Sequence, residues 1–363
     1  LPELFTVTSA EYEAIHAAWL KALKVLPPHT VVHKQDRFVE ERYTPSTDGR
    51  EQSFLSRSFE RHFNERPYLK HTCCLFVTMT TREQLRRQSD FSTLCRGVII
   101  PKQVRDADAI ARFMDAVGQM ERILNDSGLL TLERLTADEI VGTKEDAGLL
   151  ARYFALSDER QTAVSEDIQL DAGEMRIGDK YLCLHTLSDL DYLPLTVATD
   201  SRYERLSTDR SDCRLSFAAP AGLLLGCSHL YNQYIFIEDS DEVLRQLEAT
   251  ARNMTSLSNY SRSNAINREW IDLYLNEAHS QGLQAVRCHC NVVAWSEDRA
   301  ELKRIRNEVG AQLAMMGCTP HHNTVDVPVL FWAGIPGNEA DFPAEETFYT
   351  FLDHALCLFC EET

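Results

Sequence analysis

A triphosphate-hydrolysing site needs a GxxxxGK followed by Ser or Thr: backbone amides cradle the phosphates, the lysine neutralises them and the hydroxyl holds Mg²⁺. The nearest string in the 363-residue chain is Gly173-Glu174-Met175-Arg176-Ile177-Gly178-Asp179-Lys180-Tyr181. There Asp179 would aim a carboxylate at the phosphates, and Tyr181 stands where the hydroxyl should be. The string reads instead as a hairpin turn. Cys288-His289-Cys290, on a strand, would send both thiols to one face and the imidazole to the other, so the three cannot share an ion. Cys357 and Cys360 have CxxC spacing, but on an expected helix and with no second pair to complete a zinc site. His321-His322-Asn323 follow Pro320 in an expected loop. No GxSxG elbow occurs, and the acidic residues are spread as surface charge rather than gathered near histidine. The expectation is a chain with no catalytic, metal-ligating or cofactor-binding residue of its own, one that does not split ATP.

Composition narrows the partners. Asp and Glu outnumber Lys and Arg 55 to 37, a net charge of −18 that repels a phosphate backbone, so direct nucleic-acid binding is not expected. A local basic run at Arg82, Arg86 and Arg87 reads as a solvated helix face. Eleven cysteines without a framework spacing read as free thiols of a reducing cytoplasm. No apolar stretch approaches the roughly 20 residues of a spanning helix, and a soluble chain with no transmembrane segment is expected. The longest uncharged apolar stretch, residues 215–227 with Gly222 and Gly226 in GxxxG spacing, reads as buried core or an interfacial loop rather than a membrane segment. The first residue is Leu1 rather than Met, and the chain is read as a piece of a longer protein.

Periodicity supplies the elements that would carry these residues. Residues 9–25 read as a helix repeating Ile15, Trp19 and Leu23 and stopped by Pro27-Pro28. Strands are expected over 29–43 and 69–80, separated by a polar loop at 44–49 and a helix at 54–63. Residues 106–124 form the clearest helix of the first half, with a strand at 129–135 and a capping box at Thr136-Ala137-Asp138-Glu139. Short strands at 168–170, 180–187 and 193–199 sit among Asp, Ser and Gly turns. The order then repeats: a strand at 231–238, two helices ending at Gly282, a strand at 283–295, a helix capped by Ser296, and a strand at 326–333. The fold class expected is α+β, with two ferredoxin-like lobes. Residues 1–155 form the first, 156–230 a β-rich excursion or hairpin arm, 231–341 the second, and 342–363 a C-terminal helix with Phe348, Phe351, Leu352, Ala355 and Phe359 inward.

The apolar run Val327–Ala333 climbs into Gly334-Ile335-Pro336-Gly337-Asn338. Pro336 sets its own φ, Gly337 can take the positive φ of a type II turn, and Asn338 can bond back to nearby backbone, so the turn should be fixed. The string Phe331-Trp332-Ala333-Gly334-Ile335-Pro336-Gly337-Asn338 resembles one near the end of the amino-terminal region of the VirB/TrbE/TraG assembly ATPases of conjugation and type IV secretion machines. It is most like the TraG-type ATPases of conjugative transposons. Two further patches carry the likeness: Leu26-Pro27-Pro28-His29 leading into His33-Lys34-Gln35-Asp36, and Asn64-Glu65-Arg66-Pro67-Tyr68-Leu69.

The resemblance implies a non-catalytic N-terminal domain, cytoplasmic and peripheral to the inner membrane. It would dock the motor onto inner-membrane conjugation proteins and contact its own C-terminal ATPase domain, with room for a homo-oligomer. ATP and Mg²⁺ would belong to that ATPase domain. Trp332, Ile335, Pro336, Gly337 and Asn338 would lie at the interdomain or partner contact. The alternative is a self-contained cytoplasmic enzyme or ligand-binding α+β protein with its own pocket.

Overall fold

The computed structural model describes residues 1–43, 53–64, 66–85, 106–158, 167–171, 174–257 and 261–363. The loop expected at 44–49, Arg86 and Arg87 of the basic run, Glu65 and Gly173 lie outside them.

Helix α1 (Ser9–Leu23) starts at a capping box in which Thr8 and Glu11 satisfy each other's end groups, and it buries Tyr12, Ile15, Trp19 and Leu23. Strands β1 (Thr30–Arg42) and β2 (Pro67–Met79) pair along their whole length as one antiparallel ribbon, Thr30 opposite Met79 and Arg42 opposite Pro67. Helix α2 (Phe54–Asn64) sits in the connection between them and buries none of its side chains. The short α3 (Arg82–Leu85), then α4 (Ala107–Asp126), α5 (Ala137–Val141) and α6 (Leu149–Ala155) follow. Next come β3 (Ile168–Asp171), β4 (Glu174–Ile177), β5 (Lys180–Leu187), β6 (Asp200–Arg202), β7 (Arg214–Ser216) and β8 (His229–Ile237). The last part carries α7 (Ser240–Leu257), α8 (Arg262–Gln281), β9 (Ala285–Ser296), α9 (Arg299–Met315), β10 (His321–Asn323), α10 (Val327–Ala333), β11 (Phe348–Phe351) and α11 (Leu352–Leu356).

The class is mixed α+β, built on a large antiparallel sheet in the order β2-β1-β8-β9-β5-β4-β3. The sheet is continuous across the expected boundaries at 155 and 230: β1 pairs with β8, and β5 pairs with β9. Strand β9 is longer than β5 can cover, and β11 completes it, Phe348 opposite Cys288 and Phe351 opposite Ala285. Alternation divides the core. Val32, Tyr231, Ile235, Cys288, Cys290 and Val292 meet α1, α4, α9 and the chain's last residues on one face. Val31, Leu230, Tyr234, Phe236 and Val293 meet Tyr153, Leu330, Phe331 and Phe342 on the other.

Several expectations are corrected. Val327–Ala333 is a helix, not a strand: Pro328 opens it, and its apolar residues face Tyr153 and the sheet from one side. A short apolar run has no periodicity of its own to decide between the two. Residues 343–359 are not one helix. The uncovered part of β9 draws Phe348–Phe351 into the sheet, and α11 begins after it. Residues 129–135 form no strand; the Asn125 side chain receives the Leu132 N–H at 2.7 Å and donates to its carbonyl at 3.3 Å. Residues 193–199 form no strand either. The cap of α9 is Asp298 rather than Ser296. The stretch 215–227 packs inward, with Ala218, Ala221, Leu225 and Cys227 buried.

Candidate functional site

Strand β1 carries five consecutive polar residues, His33-Lys34-Gln35-Asp36-Arg37, and every residue from Thr30 to Val39 is buried. Burying such groups is unfavourable unless each finds a partner. Alternation sends Lys34 and Asp36 to the α1 face and His33 and Gln35 to the α10 face, so partners must come from both sides.

On the α1 face they come from the end of the chain. Lys34 Nζ lies 2.5 Å from Asp36 Oδ2 and donates to the Cys360 carbonyl at 2.7 Å. Asp36 also accepts from Gln233 at 2.9 Å and meets His71 Nε2 at 3.0 Å. Burial disfavours the Lys34 ammonium, but Asp36 beside it, joined by Cys73, Cys360 and Glu361, together offset this and hold its pKa above the lysine norm. Burial likewise disfavours the Asp36 carboxylate, and Lys34 and His71 together hold its pKa below the usual range. Next to them the Glu361 carboxyl, which accepts the Trp19 indole N–H at 3.1 Å, is pushed up to about 7 by burial, with Lys34 opposing. Glu362 is fully buried and accepts from the Ser216 backbone N–H, from Ser216 Oγ at 2.6 Å and from Tyr12 Oη at 2.5 Å.

On the α10 face the partners come from the Pro-Gly-Asn turn. Asn338 N–H donates to the Ile335 carbonyl at 2.8 Å and Gly337 has φ +88°, the type II turn its residues require. Asn338 Nδ2 also donates to the Trp332 carbonyl at 2.9 Å, tying the turn to the end of α10. The next residue, Glu339, is fully buried. It accepts from the Gly337 N–H at 2.8 Å and from Thr78 Oγ1 of β2 at 2.7 Å, and lies 3.5 Å from His33 Nδ1. Gln35 donates to the Gly334 carbonyl at 3.2 Å and to Asn232 at 2.8 Å. The network continues through Asn291 to His289, whose Nδ1 meets the Glu346 carbonyl at 2.6 Å. A Cβ on Gly334 would stand 2.7 Å from Tyr153 Oη of α6 and 3.3 Å from Tyr234 Oη of β8, so a glycine lets the end of α10 fit against both.

The five expected contact residues are therefore held in one short segment, Gly337 exposed and Trp332, Ile335, Pro336 and Asn338 half-buried. Trp332 meets the Phe154 ring at 5.8 Å between centroids. Glu339, Glu361 and Glu362, which anchor the arrangement, were missed by the sequence reading. The available signal was the polar run interrupting an apolar strand, since five buried polar groups oblige partners elsewhere in the chain.

The other chemistry-bearing strings are held apart. Cys288 and Cys290 point into the α1-face core, while His289 faces Phe342 and is pushed down to about 3 by burial. Cys357 and Cys360 are buried, and burial pushes the Cys357 thiol up to about 12. His321 stacks on Tyr192 and His322 meets His185. Among the described residues no group of three or more His, Cys, Asp or Glu is placed to hold a metal ion. Gly178, at φ +58°, turns β4 into β5, with Ile177 opposite Lys180.

Two concavities accompany the site. One, about 490 Å³, lies along β2 between Trp19, Leu75, Val77, Met120 and Leu130, and reaches Lys34. The other, about 900 Å³, is a cleft whose wall gathers Glu40, Glu41, Asp158, Glu297, Asp298 and Glu301. No protein-family model matches the chain, and no curated protein matches it, so a functional reading stands on these residues and their geometry.

Proposed function

We propose that the chain is a non-catalytic N-terminal domain of a TraG-type conjugation ATPase, docking the motor to inner-membrane components of a DNA-transfer machine and coupling to its C-terminal ATPase domain. The observation that carries this reading is that the Pro-Gly-Asn turn and the chain's last residues grip opposite faces of one strand, through His33 and Lys34, which are adjacent. A displacement at either grip meets close-packed, fully buried groups, so the fold passes motion on rather than absorbing it. One continuous antiparallel sheet suits the same reading, since the β1–β2 ribbon is tied to β8 and β9 where β1 pairs with β8.

Docking has a place as well. Helix α2, set in the β1–β2 connection, leaves Phe54, Leu55, Phe59 and Phe63 exposed, with Arg57 and Arg61 beside them. Phenylalanines in such number on one short helix favour an apolar partner at the membrane side of the machine. No helix among the described residues is long and apolar enough to cross a membrane. The reading as peripheral to the inner membrane on its cytoplasmic side rests on the resemblance to the conjugation ATPases. The −18 net charge favours protein partners over DNA.

In the full-length protein, Asn338→Ala and Trp332→Ala are each expected to lower DNA transfer and alter ATP turnover by roughly 2- to 30-fold, about 0.5–2 kcal/mol of lost coupling. Mating assays and ATPase rates measure this, and unchanged values for both variants would remove the turn from the interdomain contact. The 900 Å³ cleft, lined by both carboxylates and the basic Arg42, Lys180 and Arg304, favours a second reading, a self-contained enzyme or ligand-binding protein. A stoichiometric ligand found there, with both variants silent, would displace the first.

A further inference from the structure

Helix α8 buries Leu275 and Ala278 against the domain, with Ile271 packed beside them. About half a turn around the helix, Ile266, Trp270 and Leu273 are 40%, 54% and 61% exposed. Their spacing of four and then three residues makes one continuous apolar stripe. The stripe ends in opposite charges, Arg262 one turn before Ile266 and Glu277 one turn after Leu273. Arg268 and Asp272, to one side, are paired with each other at 3.4 Å.

We propose that this stripe is a self-association surface, on which two copies pair their α8 helices antiparallel across a twofold axis between residues 269 and 270. In that register Arg262 of one copy faces Glu277 of the other, Ile266 faces Leu273, and the two Trp270 rings meet beside the axis. Parallel pairing would set Arg262 against Arg262 and Glu277 against Glu277, so the charge order selects the antiparallel twofold arrangement, in which each copy offers the same patch. A helix of 20 residues is about 30 Å long. A contact confined to one helix from each copy is small, which describes a reversible dimer rather than an obligate one. The inference is independent of the conjugation reading, since it uses only α8.

Sedimentation of the whole chain over a concentration series tests it. The wild-type chain is expected to pass from monomer to dimer below about 0.1 mM. Trp270→Ser weakens the dimer by on the order of 30-fold, with the far-ultraviolet spectrum unchanged. Arg262→Glu and Glu277→Arg each weaken it a few-fold by bringing like charges together, and the double variant, which swaps the charges, recovers wild-type association. A wild-type chain that stays monomeric, a dimer indifferent to Trp270→Ser, or a double variant weaker than both single ones overturns the proposal.

Discussion

Replacing Lys34 with methionine lowers the free energy of unfolding by about 3–5 kcal/mol, the range for removing one partner of a buried ion pair. Asp36 then loses the ammonium at 2.5 Å that keeps it ionised, Glu361 loses its neighbouring cation, and the Cys360 carbonyl loses its donor. Methionine fills much the same volume, so the loss reports the charge rather than a cavity. Urea denaturation of the wild type and Lys34→Met measures it. Adding Asp36→Asn should return part of the loss, because the stranded carboxylate is gone. A Lys34→Met change below about 1 kcal/mol, the scale of an exposed pair, would show that this end of the chain is not anchored through Lys34.

Acid unfolds the domain earlier than its carboxylates alone would. Burial holds His229 down to about 4, His289 down to about 3 and His185 down to about 3, the last helped by Arg306 and neighbouring histidines. All three are neutral in the fold. In the unfolded chain each takes up a proton once the pH drops below about 6.5. Their contribution is therefore complete above pH 6.5 and is lost as the pH falls toward their folded values, at about 1.4 kcal/mol per unit for each, or about 4 for the three. Glu361 acts in the opposite sense: raised to about 7, it is protonated in the fold before the unfolded chain follows. Between pH 7 and its unfolded value it returns about 1.4 kcal/mol per unit as the pH falls. The net expectation is a loss of about 3 kcal/mol per unit between pH 6.5 and 5, seen as a falling urea midpoint. A midpoint constant over that interval would mean that these imidazoles are hydrated in the native state.

Much of this fold is written locally. The Pro27-Pro28 stop and the long apolar alternation of β9 each act within a few residues, and α1 and β9 stand where those signals put them, although α1 is capped by Thr8 with Glu11 and not by Ser9. The type II turn was legible for the same reason, because Pro336, Gly337 and Asn338 restrict their own backbone. Val327–Ala333 and residues 343–359 were misread because tertiary contacts decide them. The first packs on Tyr153, 174 or more positions away in sequence, and the second is drawn to the uncovered half of β9. Glu339 and Glu361 were invisible as anchors on the same grounds: a carboxylate looks like surface charge until the fold brings His33 or Trp19 to it. The polar run of β1 pointed to such partners without naming them.

Amide hydrogen exchange on Glu339→Ala, compared with wild type, bears on the coupling through β1. Removing that carboxylate takes away the anchor shared by Gly337, Thr78 and His33. If the two grips on the strand act together, exchange quickens in residues 335–342, in β1 around His33 to Gln35, and in the last residues around Cys360 to Glu362. Faster exchange confined to residues 335–342, with β1 and the end of the chain as protected as before, would contradict a mechanical link between them.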